Sequence, residues 1–181
     1  MSRIGNKPIA VPQGVDVKVA SGQVTVKGPK GTLVQTVHPD ITVAIDKGNV
    51  QVSRPTDMKQ HKALHGLTRA LINNMVIGVT AGYSKTLELM GVGYRVQQQG
   101  KGVALNVGLT HTVEIMPPPG VEVQVEGQNR IHIRGSDKQQ VGELAATIRR
   151  VRPPNAYKEK GIRYSTERNK LKPGKAAARK K

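Results

Sequence analysis

The sequence predicts an α+β fold of two tandem similar domains, each an antiparallel β-sheet packed with one α-helix. Three observations predict it. Short runs of alternating valine, isoleucine and leucine fill the chain up to Val52 and again from Leu87 to Ile133, a period of two that suits half-buried strands. After each set of runs the period lengthens to three and four, which gathers apolar residues on one helix face. Finally, the two halves register at an offset of 80: Pro39, Ile41, Val43, Ile45 and Asn49 fall on Pro119, Val121, Val123, Val125 and Asn129. Beyond a one-residue slip in the next strand, Arg54, Asp57, Gln60, Leu64 and Arg69 fall on Arg134, Asp137, Gln140, Leu144 and Arg149. Identical Arg-x-x-Asp-x-x-Gln-x-x-x-Leu spacing in both halves is the mark of an internal repeat. One helix laid across one sheet is the simplest way for each repeat to bury its apolar faces.

Taken in order, residues 1–14 read as an N-terminal arm carrying Arg3 and Lys7, with prolines at 8 and 12. Strands follow at Val15–Val19, Val24–Val26, Leu33–Val37, Ile41–Ile45 and Val50–Val52, with turns at Gly28-Pro29-Lys30-Gly31 and Asp46-Lys47-Gly48-Asn49. Leu64, Leu67, Leu71 and Met75 define the helix face. Thr56 or Asp57 is positioned to cap its start, and Gly78 or Gly82 to end it. In the second half, Leu87–Leu89 and Val92–Val96 read as strands separated by Gly91. Val103–Val107, Val113–Ile115, Val121–Val125 and Ile131–Ile133 follow. A helix then places Val141, Leu144, Ala145 and Ile148 on one face, and Ser136 with Gln139 fits a capping box. The predicted domains are 15–81 and 82–152, with the boundary falling between Gly78 and Tyr83, and 153–181 is a basic extension.

Composition narrows the function. There is no Cys, Trp or Phe among 181 residues, so disulfides and thiolate metal sites are excluded. The core must be aliphatic. No apolar run approaches the ~20 residues of a membrane span, and the polar, basic start lacks a signal-peptide core. These features lean towards a cytoplasmic protein. His61 and His65 stand at a metal-like spacing, but the intervening Lys62-Ala63-Leu64 lacks the glutamate of a zincin. A solvent-facing or RNA-facing pair is the better expectation. The glycine-rich stretches Gly91-Val92-Gly93 and Gly28-Pro29-Lys30-Gly31-Thr32 are hairpin turns rather than phosphate loops, because no Lys-Ser/Thr opens a helix after them. No nucleophile elbow or Cys–His pair suggests an enzyme, and no cofactor is expected.

The net charge of +17 is concentrated at the end of the chain. From Arg149 onward there are thirteen cations and two anions, so eleven of those seventeen charges lie in the last 33 residues. Such a segment seeks a polyanion. A pI near 10.5 points to nucleic acid or an anionic membrane surface. The tail has no interleaved apolar residues for stable membrane anchoring. Tyr157 is placed to stack or hydrogen-bond while Lys158 and Lys160 hold phosphates. Arg149, Arg150 and Arg152 also suit a helix C-terminus. The candidate RNA-binding residues are Arg149, Arg150, Arg152, Tyr157, Lys158, Lys160, Gly161, Arg163, Tyr164, Lys170, Lys172 and Lys175. From about Lys170 onward the charge density predicts disorder in the free protein. With few aromatics, recognition should read backbone and shape.

Pro154-Asn155-Ala156-Tyr157-Lys158-Glu159-Lys160-Gly161-Ile162 closely resembles the signature of the large ribosomal subunit protein six family. Glu159 is the departure, standing where the family usually has Gly or Ala. Met1–Pro8 and Asn74–Thr80 also look like the bacterial members. The resemblance covers nearly the whole chain and implies the same two-repeat architecture. It further implies a structural, non-enzymatic constituent of the large subunit. Its partners would be large-subunit rRNA, neighbouring ribosomal proteins and nearby translational GTPases, at the factor-binding region and stalk base. Neither a membrane nor a small-molecule substrate is implied. The residues alone leave a free architectural nucleic-acid-binding protein as the alternative.

Overall fold

The computed structural model describes residues 3–46 and 48–174. The chain divides into two compact units, one formed by the residues up to Tyr83 with Ser136–Lys138, the other by Ser84–Gly135 with Gln139 onward.

In the first unit the alternating runs form β1 (Ile9–Ala10), β2 (Asp16–Ala20), β3 (Gln23–Gly28), β4 (Gly31–Thr36), β5 (Thr42–Asp46) and β6 (Asn49–Ser53). They make two three-stranded antiparallel sheets, β2-β3-β4 and β1-β6-β5. Thus part of the stretch expected to be an arm is sheet: Ile9 pairs with Val50 and is buried. Helix α1 (Lys59–Thr80) contributes Ile72 and Val79 to a core with Val24, Val26, Val50 and Val52 of the strands. The β3–β4 turn docks on the helix end. Lys30 donates from its backbone N–H to Val79 O (3.0 Å) and from its Nζ to Ala81 O, which places a cation on the helix C-terminus. Gly82, with φ 78°, closes the helix by donating to Ile77 O (3.1 Å). Gly78 lies inside it, where a Cβ would collide with Ser136 O.

Of two expectations about α1, the cap fails and the apolar face holds in part. Its N-cap is Met58, with no side-chain cap. Asp57 is held instead by Arg54 (2.7 Å), and Thr56 by His61 (2.7 Å). The predicted face holds in part: Met75 is buried and Leu64 packs against the core, but the buried face is rotated enough to leave Leu67 out. His65, Thr68, Ile72, Met75, Val76 and Val79 face the core, while Leu67 is 55% exposed. Burial of His65, at 2% exposure, is possible because both ring nitrogens are paired. Nε2 donates to Val52 O (2.9 Å) and Nδ1 accepts from Arg54 Nη1 (2.9 Å). His65 therefore does not face solvent or RNA as expected, and Gly5 packs so closely on its ring that a Cβ would overlap it.

The second unit contains β7 (Tyr83–Met90) from Ser84 onward, β8 (Arg95–Gln99), β9 (Gly102–Asn106), β10 (Val113–Ile115), β11 (Val121–Glu126), β12 (Arg130–Gly135), α2 (Lys138–Val151) from Gln139 onward, and β13 (Gly161–Tyr164). Its sheets are β10-β9-β8 and β11-β12-β7-β13. Val141, Leu144, Ala145 and Ile148 are all buried, as the period requires. The slip in the repeat is visible in the pairing. Val43 faces Val52 in the first unit, and Val123 faces Ile133 in the second, one residue beyond the offset of 80. Val92 and Tyr94 are not strand. Gly91 (φ 146°) and Gly93 (φ 81°) turn the chain out into a loop before β8 begins.

Candidate nucleic-acid interface

The basic segment is partly folded into the second unit. Its anchor is Ile162, a lone aliphatic residue that is fully buried in β13 and pairs with Leu89 of β7. The path into β13 is tight. Gly161 has φ 142°, and a Cβ there would stand 2.6 Å from Pro153 O and from Pro154 Cα. Only glycine fits that crossing, so this glycine serves the packing of its own chain.

Between Pro153 and Gly161 the chain makes a turn around Asn155. The Asn155 side-chain oxygen accepts from the N–H groups of Tyr157 (2.8 Å) and Lys158 (3.3 Å). Its own N–H donates to Lys160 O (2.8 Å), and its carbonyl accepts from Glu159 N–H (3.1 Å). This is the asparagine turn chemistry that fixes a loop without a hairpin. Ile162 N–H donates to Arg152 O (2.8 Å), and Lys172 N–H to Ala156 O (2.9 Å). The turn therefore presents Tyr157 at 59% exposure, flanked by the exposed Lys158 and Lys160. Glu159, the departure from the family signature, holds φ 55°.

The candidate cations fall into two groups. Arg149, in the last turn of α2, makes a bidentate pair with Glu167: Nη2 to Oε1 at 2.6 Å and Nε to Oε2 at 3.0 Å. Glu167 also accepts from Tyr164 N–H (3.2 Å). The Arg149 hydrogen bond is the main reason the Glu167 carboxyl lies below its ordinary range, and the same bond raises the Arg149 guanidinium. Arg149 and Lys85 each stand 5.8 Å from the Tyr164 ring centre, within cation–π reach. Arg163 reaches Glu88 Oε2 (3.4 Å). These cations clamp the segment to its own unit.

Arg150, Arg152, Lys158, Lys160, Lys170 and Lys172 form the second group. They are exposed and make no ion pair among the described residues. Arg152 donates from Nε to Tyr94 Oη (3.3 Å), a neutral partner. Lys175 lies outside the described residues, as does most of the stretch expected to be disordered. The sequence pattern carries no signal for the roles of Asn155, Tyr94, Glu88 and Glu167. Asn155 lay inside the quoted signature, but its role needs the turn to be seen.

Among the described residues no group of three or more His, Cys, Asp or Glu side chains is arranged to hold a metal ion, and no helix is long and apolar enough to cross a membrane. What the arrangement offers is a row of uncompensated cations around a rigid aromatic turn, suited to phosphates.

The model of the family described as ribosomal protein L6 matches residues 11–82 and 90–165, one match on each repeat. The chain is 56% identical to the large ribosomal subunit protein uL6 of Carboxydothermus hydrogenoformans over 179 residues, covering 99% of this chain and 98% of that protein. It is 57% identical to the protein of the same name from Caldicellulosiruptor bescii over 176 residues, 97% of each. It is also 55% identical to that of Listeria welshimeri, over 97% of this chain and 98% of that one. The chain belongs to the ribosomal protein L6 family.

Proposed function

We propose that the chain is a structural constituent of the large ribosomal subunit, in the cytoplasm, and that its C-terminal segment holds large-subunit rRNA. Family membership and the names of the relatives support the first part. One observation carries the second: the Asn155 turn holds Tyr157, Lys158 and Lys160 outward beside Arg150 and Arg152, and none of these cations makes an ion pair among the described residues. Each phosphate neutralised by such a cation releases counterions, so binding weakens with salt. The extension 153–181 is the RNA-binding part. The resemblance adds a place near the factor-binding region and stalk base, beside other ribosomal proteins and the docking translational GTPases. The protein's role there is to hold RNA in shape, without catalysis.

The test is retention. The protein should copurify in stoichiometric amount with large subunits through a high-salt wash. A free architectural nucleic-acid-binding protein would wash off and distribute over unrelated RNA and DNA.

A further inference from the structure

We propose that the β7–β8 loop is a second arm of the RNA-binding surface, in which Tyr94 positions Arg152 for a phosphate and Val92 packs against the sugars beside it. The inference rests on the RNA-binding reading above.

Three features carry it. Val92 is 91% exposed, the most exposed large apolar side chain among the described residues. It is not left there by looseness. Gly91 and Gly93 both hold positive φ, Tyr94 N–H closes the turn on Gly91 O (3.3 Å), and the Tyr94 ring fills the space where a Cβ at Gly91 would sit, 3.2 Å away. The same ring lies against Gly108, 3.4 Å from where its Cβ would be. The loop is thus shaped around Tyr94 with its apolar tip outward. Secondly, the Tyr94 hydroxyl accepts from Arg152 Nε, and the terminal guanidinium nitrogens make no hydrogen bond among the described residues, so they can donate to a ligand. A neutral acceptor orients the guanidinium without cancelling its charge. Thirdly, the loop carries no carboxylate and leads into the exposed Arg95 at the start of β8, so it continues the sign of the surface that Arg150, Lys158 and Lys160 begin. A protein partner would be expected to meet Arg152 with a carboxylate; a nucleic acid meets it with a phosphate and lays its sugars on the apolar tip.

Tyr94→Phe keeps the ring and removes the hydroxyl. It should weaken binding to purified large-subunit rRNA by about three- to ten-fold, the usual effect of one hydrogen bond. In an Arg152→Ala background the same substitution should change nothing further. An equal loss in both backgrounds would show that Tyr94 does not act through Arg152 and would overturn its positioning role. Because the chain has no cysteine, Val92→Cys and, as a reference in the C-terminal turn, Ala156→Cys each give a unique thiol for a tethered hydroxyl-radical source. In large subunits carrying either protein, the Val92 probe should cut rRNA at or next to the nucleotides cut from position 156. Cutting from position 156 with none from position 92, or crosslinking of position 92 to a protein, overturns the second arm alone. No cutting from either position overturns the RNA-binding reading itself.

Discussion

Glu159 holds a left-handed backbone, φ 55°, that its own Cβ resists. The conformation costs an L-residue roughly 1–2 kcal/mol, and glycine offsets part of that saving by about 0.5–1 kcal/mol through its freer unfolded chain. Glu159→Gly should therefore stabilise the free protein by about 0.5 kcal/mol, up to about 1. Glu159→Ala, which keeps the Cβ, should not. Urea midpoints of the three proteins check this, and equal midpoints for the Gly and Ala variants would remove the backbone explanation. The Gly variant should also bind rRNA at least as well, since an anion beside phosphates is deleted. Glu167 supports a pH prediction. Its folded pKa lies below the ordinary 4.5, chiefly through the Arg149 hydrogen bond. A carboxylate with a depressed folded pKa contributes stability that is fully present above the unfolded value and is lost as pH falls through the folded one. Urea midpoints taken from neutral pH downward should fall more steeply below the ordinary value in the native protein than in Glu167→Gln. Parallel profiles would show that this pair adds nothing to acid stability.

At the scale of the elements, α1 separates burial from hydrophobicity. His65 is buried with both nitrogens paired, whereas Leu67, two residues on, is exposed. His65→Ala leaves a cavity and orphans the Val52 carbonyl and an Arg54 donor, so it should cost about 2–4 kcal/mol. Leu67→Ala should stay within about 0.5 kcal/mol, as surface changes do. Thermal or urea unfolding of the two variants decides which face packs. This contrast also shows what was legible in the sequence. Most of the strand alternation and the α2 face needed only periodicity and were readable; Val92 and Tyr94, which alternate but lie in a glycine-turned loop, are the exception. On α1 Met75 and Leu64 were readable and Leu67 misled, because a buried His looks polar until its partners Val52 and Arg54 are known. In the C-terminal segment the charge was readable and β13 was not. One buried isoleucine, Ile162, docks that strand, and its register is set by β7, more than seventy residues away. The cations were likewise visible as a set. Which of them are occupied by Glu167 and Glu88 depends on folding, and spacing alone carries no trace of it.

For the whole molecule the governing quantity is the imbalance of 29 cations against 12 anions. With cations in such excess, like-charged pairs outnumber opposite-charged ones, and repulsion of like charges opposes the compact state. Added monovalent salt screens those terms over about 8–10 Å at physiological strength. It should therefore raise the unfolding midpoint of the free protein, even though it also weakens the Arg149–Glu167 and Arg163–Glu88 pairs. On the complex the same salt should act with the opposite sign, because released counterions oppose binding. The two groups of cations should then separate. Arg150→Ala, Arg152→Ala, Lys158→Ala and Lys160→Ala should each weaken rRNA binding and make the plot of log affinity against log salt shallower by roughly one unit or less. Tyr157→Ala should lower affinity and leave the slope nearly unchanged. Lys101→Ala, in the β8–β9 turn away from the segment in sequence, should change neither; Lys47, the other turn lysine expected to be inert, lies outside the described residues. Arg149→Ala and Arg163→Ala should act mainly on the unfolding midpoint, since their charge is spent on Glu167 and Glu88. A midpoint that falls with salt would mean that attractive pairs dominate the free protein. Slopes that respond to Arg149 and Arg163 but not to Lys158 and Lys160 would mean that the RNA meets the opposite set of cations from the one the folded segment leaves exposed.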